Sequence, residues 1–123
     1  MNRLLIYIGE DQKFNIRDTI GAICTIPGIS NPRENVSPEV FECEYEAMGV
    51  STTIRISSDA ETVTAEGVGD DSVKFMLELQ SRLPVDLYVT DMNYDFDLPV
   101  RSFPTIEAFN RAADAGLRLC PWD

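Results

Sequence analysis

The stretch Val40-Phe41-Glu42-Cys43-Glu44-Tyr45-Glu46 alternates strictly: Phe41, Cys43 and Tyr45 share one parity, and three glutamates share the other. A strand has a side-chain period of two, so this spacing puts every apolar residue on one face and every carboxylate on the opposite face. A helix would scatter the two sets around its circumference. The segment therefore predicts a sheet with one buried and one polar face. The chain on its C-terminal side continues in the same style. Met48-Gly49-Val50 is a turn, and Thr52 to Ser57 is a strand with Ile54 and Ile56 on one side. Ser58-Asp59-Ala60 turns again, and Glu61 to Ala65 returns as a third strand of an antiparallel meander.

Upstream, Leu4 to Ile8 reads as a short buried strand closed by Gly9. Glu10 and Asp11 end its apolar run, which is too short for a signal-peptide core. Asn15 is placed to cap a helix with Asp18 in its first turn. Ile16, Ile20, Ile23 and Cys24 give that helix an apolar face, and Pro27-Gly28 stops it. Residues 28–38, with Gly28, Pro32 and Pro38, read as a loop. Downstream, Asp70 or Asp71 caps a helix over Ser72 to Leu83 whose stripe is Val73, Met76, Leu77 and Leu83. Val85 to Thr90 is a strand with Val85, Leu87 and Val89 inside and Tyr88 outside, followed by an irregular acidic segment from Asp91 to Pro99. Thr105 caps a last helix with Ile106, Phe109, Ala112 and Ala113 inward and Gly116 at its end. The element order β-α-β-β-β-α-β-α predicts an α+β fold over one domain, residues 1–123. Its sheet is mostly antiparallel with helices on one face, close to the ferredoxin-like plan with an added strand and a terminal helix.

Composition narrows the function. Of 123 residues, 10 are Lys or Arg and 21 are Asp or Glu, and there is no His, giving a net charge of −11. Direct binding to nucleic acid or to an anionic membrane surface is disfavoured, since both need clustered cations. No apolar run approaches the length of a membrane helix, and the expected location is the cytoplasm. Three Cys without a CxxC pair make a poor disulfide framework and a poor zinc site; they read as two buried thiols and one near the C-terminus. Without His there is no Ser-His-Asp or Cys-His arrangement, and no catalytic residue is assigned. Gly67-Val68-Gly69-Asp70-Asp71 before a helix suggests a phosphate loop only superficially, because two carboxylates would repel the anion. Asp91, Asn93, Asp95 and Asp97 fall on positions 1, 3, 5 and 7 of an EF-hand-like loop. Phe96 then stands where Gly is needed and Ser102 where Glu is needed, so no metal and no cofactor are assigned.

What remains is the charge distribution. Residues 34–71 hold ten acids against one base, Arg55, a net of −9. Glu42, Glu44 and Glu46 lie about 7 Å apart at a strand rise of ~3.3–3.4 Å per residue, and Arg55 relieves one of them at most. The two readings are a solvated face and a binding face for a basic partner. On the second reading Glu42, Glu44, Glu46, Asp91, Asp95 and Asp97 are contact carboxylates, and Tyr88 and Tyr94 are aromatic anchors.

In size, acidity and element style the chain resembles the immunity proteins of bacterial polymorphic toxin systems, of the contact-dependent inhibition and type VI secretion kinds. The stretch TDMNYDFDLPVRSFPTIEAFNRA, residues 90–112, carries the likeness: a strand, an acidic loop and a short helix introduced by Phe-Pro-Thr. The resemblance implies neutralisation of one cognate toxin domain, a basic nuclease-like one, by an acidic surface that steers onto its cleft. Three other classes use the same features: a phage-type DNA-mimic inhibitor of a nucleic-acid enzyme, a small-molecule-binding regulatory domain, and a homo-oligomer subunit. The last is opposed by like charges meeting across a two-fold axis.

Overall fold

The computed structural model describes residues 3–9, 12–35 and 38–123; Glu10, Asp11 and residues 36–37 of the expected loop lie outside them. The elements are β1 (Leu4–Tyr7), α1 (Ile16–Cys24), β2 (Ile29–Glu34), β3 (Phe41–Ala47), β4 (Val50–Ile56), β5 (Val63–Ala65), α2 (Asp70–Arg82), β6 (Tyr88–Asp91), β7 (Asp97–Pro99) and α3 (Ile106–Asp114), with a 3₁₀ turn at Val100–Ser102. The fold is α+β. Seven strands form one antiparallel sheet in the order β2-β3-β4-β5-β1-β6-β7. No helix among the described residues is long and apolar enough to cross a membrane.

The register follows the alternation of β3. Phe41 pairs with Ile56, Ile56 with Val63, Val63 with Ile6, Ile6 with Val89 and Val89 with Leu98, a row of buried side chains across six strands. Directly paired residues share a face, so this row is the sheet's contribution to the core. The helices cover it. Phe75 of α2 meets Tyr45 of β3 edge-on at 5.5 Å, and Phe109 of α3 meets Phe96 at 5.6 Å. The adjacent row points the other way: Arg33, Glu42, Arg55, Thr64, Leu5, Thr90 and Asp97 succeed one another over all seven strands.

The helix ends mostly follow their expected chemistry. Asn15 accepts from Asp18 N at 3.0 Å, Thr105 accepts from Ala108 N at 3.1 Å, and Gly116 takes a left-handed φ of 67° after α3. Helix α2 differs: Gly69 is its N-cap, without a side-chain cap, while Asp70 accepts from Asn110 of α3 at 3.0 Å. Its buried face is also wider than the expected stripe, since Phe75 and Leu79 are both buried.

Four other expectations change. Residues 28–38 contain β2, because an edge strand tolerates Pro32 and the register shift between Ser30 and Arg33 absorbs Asn31 at φ 56°. The Asp91–Pro99 segment contains β7. Val85 is exposed and precedes β6; the Gln80 side chain instead ties this link down, donating to Val85 O and accepting from Leu87 N, both at 2.8 Å. Among the cysteines, Cys43 and Cys120 are buried but Cys24 is exposed.

Phe75 sits in the core without solvent contact. Phe75→Ala is expected to lower stability by about 3–5 kcal/mol in urea unfolding; a loss within error of zero would contradict the packing described.

Candidate binding site

The eight residues expected to meet a partner divide into three groups. Glu42 and Glu44 are locked in a charge ladder on the open face. Arg33 of β2 bridges Glu42 and Glu44, the latter at 2.8 Å. Arg55 of β4 bridges Glu42, at 2.6 Å, and Glu66, and Arg3 reaches Glu66 at 3.0 Å. Asn31 adds a 3.0 Å hydrogen bond to Glu44. Of the three strand glutamates Arg55 thus relieves one, Glu42, as expected, and its second partner is Glu66; Arg33 reaches β3 because β2 is a strand. Glu46, the third of the set, is exposed near the β3–β4 hairpin.

The second group is the acidic loop, which does not present its carboxylates as one surface. Asp91 is 3% exposed and Asp97 is 7% exposed. Asp91 belongs to a turn: its carbonyl accepts from Tyr94 N at 3.1 Å and its carboxylate accepts from Asp95 N at 2.8 Å. Burial thus leaves Asp91 and Asp97 accessible only where they line two recesses. Asp95 and Tyr94 stay exposed, with Tyr94 at 61%.

Tyr88 forms the third group with two residues that sequence reasoning missed. It lies opposite Tyr7 on the open face, and Trp122 closes over both, with ring centroids 5.7 Å from Tyr7 and 4.6 Å from Tyr88. The alternation of β1 put Tyr7 on the outward parity, whereas nothing in the sequence tied Trp122 to the sheet. Its approach depends on the chain after α3, where Asp97 N donates to Leu117 O at 3.0 Å and Leu119 N donates to Asp97 O at 2.9 Å.

Beside these rings lies a recess of about 350 Å³ above β1 and β6. Tyr7, Tyr94 and Trp122 supply its aromatic lining; Glu61 and Asp97 supply its carboxylates. Asp97 accepts from the Tyr7 hydroxyl and from Trp122 Nε1, the latter at 3.0 Å. Burial, and then the bond to Asp97, push Tyr7 well above the usual phenol range. The same causes in the same order push the Cys120 thiol up to about 12. Both groups stay protonated and serve as neutral donors. Asp97, Cys120 and Asp123 bring three potential metal-ligand atoms within 4.8 Å of one another. Those donors are already engaged: Asp97 by Tyr7 and Trp122, Asp123 by Cys120 N at 2.8 Å. The set is a hydrogen-bonded core for the C-terminal segment. A second recess of about 400 Å³ lies towards α3 and is lined by Asp91, Asp95 and Asp114 together with Phe96 and Phe109.

No family model matches the chain, and neither a curated protein nor a solved structure matches it.

Two outcomes test the site. Arg33, then Arg55, hold Glu42 below the ordinary 4.5, and Arg33, then Asn31, do the same for Glu44. A carboxyl depressed on folding adds stability above its unfolded value and loses it as pH falls through the lowered folded value. The urea midpoint should be level above about pH 5 and fall below it. A Glu42→Gln/Glu44→Gln variant should start lower and fall less steeply, and equal slopes would contradict the ladder. Separately, Tyr7→Phe deprives a buried carboxylate of a donor and should lower stability by about 1.5–3 kcal/mol in the same assay; an unchanged midpoint would show that the bond contributes nothing.

Proposed function

We propose that this is a non-catalytic cytoplasmic binding protein that neutralises one basic partner, a toxin domain in the sense that the immunity-protein resemblance implies. The observation that carries this reading is the lining of the two recesses. Glu61 and Asp97 line one, which has no Lys or Arg among its described lining residues, and Asp95 and Asp114 stand in the lining of the other. The ladder strengthens the point. Three arginines balance three glutamates there, so the whole net charge of −11 belongs to the rest of the chain. The contact region then moves from Glu42 and Glu44 towards Glu61, Tyr94 and Asp95. A DNA mimic would need the regular strand carboxylates unpaired, so the ladder weighs against that alternative. For the fold, the order β4-β5-β1-β6, with α1 after β1 and α2 between β5 and β6, supports a ferredoxin-like core extended by β2, β3 and β7.

Tagged protein incubated with lysate of its native host at low salt should retain one basic protein in stoichiometric amount. Moderate salt should weaken the complex by slowing association. That protein, expressed alone, should arrest growth, and co-expression should relieve the arrest. Retention of no basic partner, or of one whose toxicity is unaffected, would overturn the proposal.

A further inference from the structure

Both carboxylate oxygens of Asp97 accept hydrogen bonds, but from neutral donors only. Its carboxylate is buried, and among the described residues it makes no ion pair; its contacts are a phenol, an indole N–H and a thiol. Buried charges are ordinarily paired, because neutral donors replace only part of the lost hydration. Arg118 pairs through its backbone with Asp97, but its guanidinium donates to the Tyr94 carbonyl. Asp97 also lines the recess, alongside Glu61, which is exposed and makes no ion pair among the described residues. Aromatic rings next to carboxylates attract organic cations, the rings through their quadrupoles and the acids through their charge. A volume of about 350 Å³ suits a side-chain-sized group and not a folded segment.

We propose that this recess is a receptor for one organic cation, a guanidinium or alkylammonium head group held between Tyr7, Trp122, Glu61 and Asp97. Applied to the function proposed above, on which this step rests, the occupant is an Arg or Lys side chain of the basic partner. The cation supplies the counter-charge that Asp97 lacks, while its methylene stem lies against the rings.

Trp122 is the only tryptophan, so its emission reports occupancy directly. The purified protein is titrated at constant ionic strength with N-acetyl-arginine amide, N-acetyl-lysine amide and the neutral citrulline amide. The cationic probes should give saturable changes with Kd of about 1–10 mM, and citrulline should bind at least about five-fold more weakly. Glu61→Gln, on the exposed rim, should weaken only the cationic probes, by about three-fold; circular dichroism shows whether it is folded. Absence of saturation, or citrulline binding as tightly as arginine, overturns the inference. The two proposals fail separately. Silent probes with a partner retained remove the recess and leave the basic-partner reading. Probes that bind with no partner retained remove that reading and make a free amine the occupant.

Discussion

Like charges two residues apart on one strand repel, and β3 carries three such glutamates on its outward face. Two of them, Glu42 and Glu44, are balanced by an arginine from each side, Arg33 of β2 and Arg55 of β4, while Glu46 is exposed to water. This arrangement ties charge to register. Sliding either neighbour by one residue would turn its arginine into the core and an apolar side chain into water. The outward ladder and the inward row from Phe41 to Leu98 thus impose the same alignment from opposite faces of the sheet.

That double constraint explains why the centre of the fold was legible in the sequence. The alternation of β3, the left-handed turn at Met48-Gly49 and the isoleucines of β4 all state the same period. The caps Asn15 and Thr105 were legible for a related reason, since a cap is a local hydrogen bond within three residues. The sheet margins were not. In β2, Pro32 and Asn31 look like loop residues until the strand is known to lie at an edge. In β7, three residues are too few to show a period, and their pairing with β6 is set by the Asp91–Tyr94 turn.

The candidate site was legible only in part, and for the same physical reason. Counting carboxylates along the chain found the acidity but could not separate balanced acids from unbalanced ones. Glu42 and Glu44 belong to the first kind, since their arginine partners come from other strands. Glu61 and Asp97 belong to the second, and they converge only because β1 brings β5 and β6 together. Trp122 lay beyond any periodic element, so no pattern could attach it to Tyr7 and Tyr88.

An open seven-stranded sheet has two margins where a foreign strand could add. Here each is closed differently. On the β2 side, Pro32 lacks a donor and the shifted register bends the strand out of line. On the β7 side, the chain after α3 already occupies the hydrogen-bonding groups of Asp97 through Leu117 and Leu119. Both margins thus oppose backbone pairing between the sheet edges of two copies. Any partner is left to approach over the face of the sheet or around its ends, where side chains rather than backbone decide the fit.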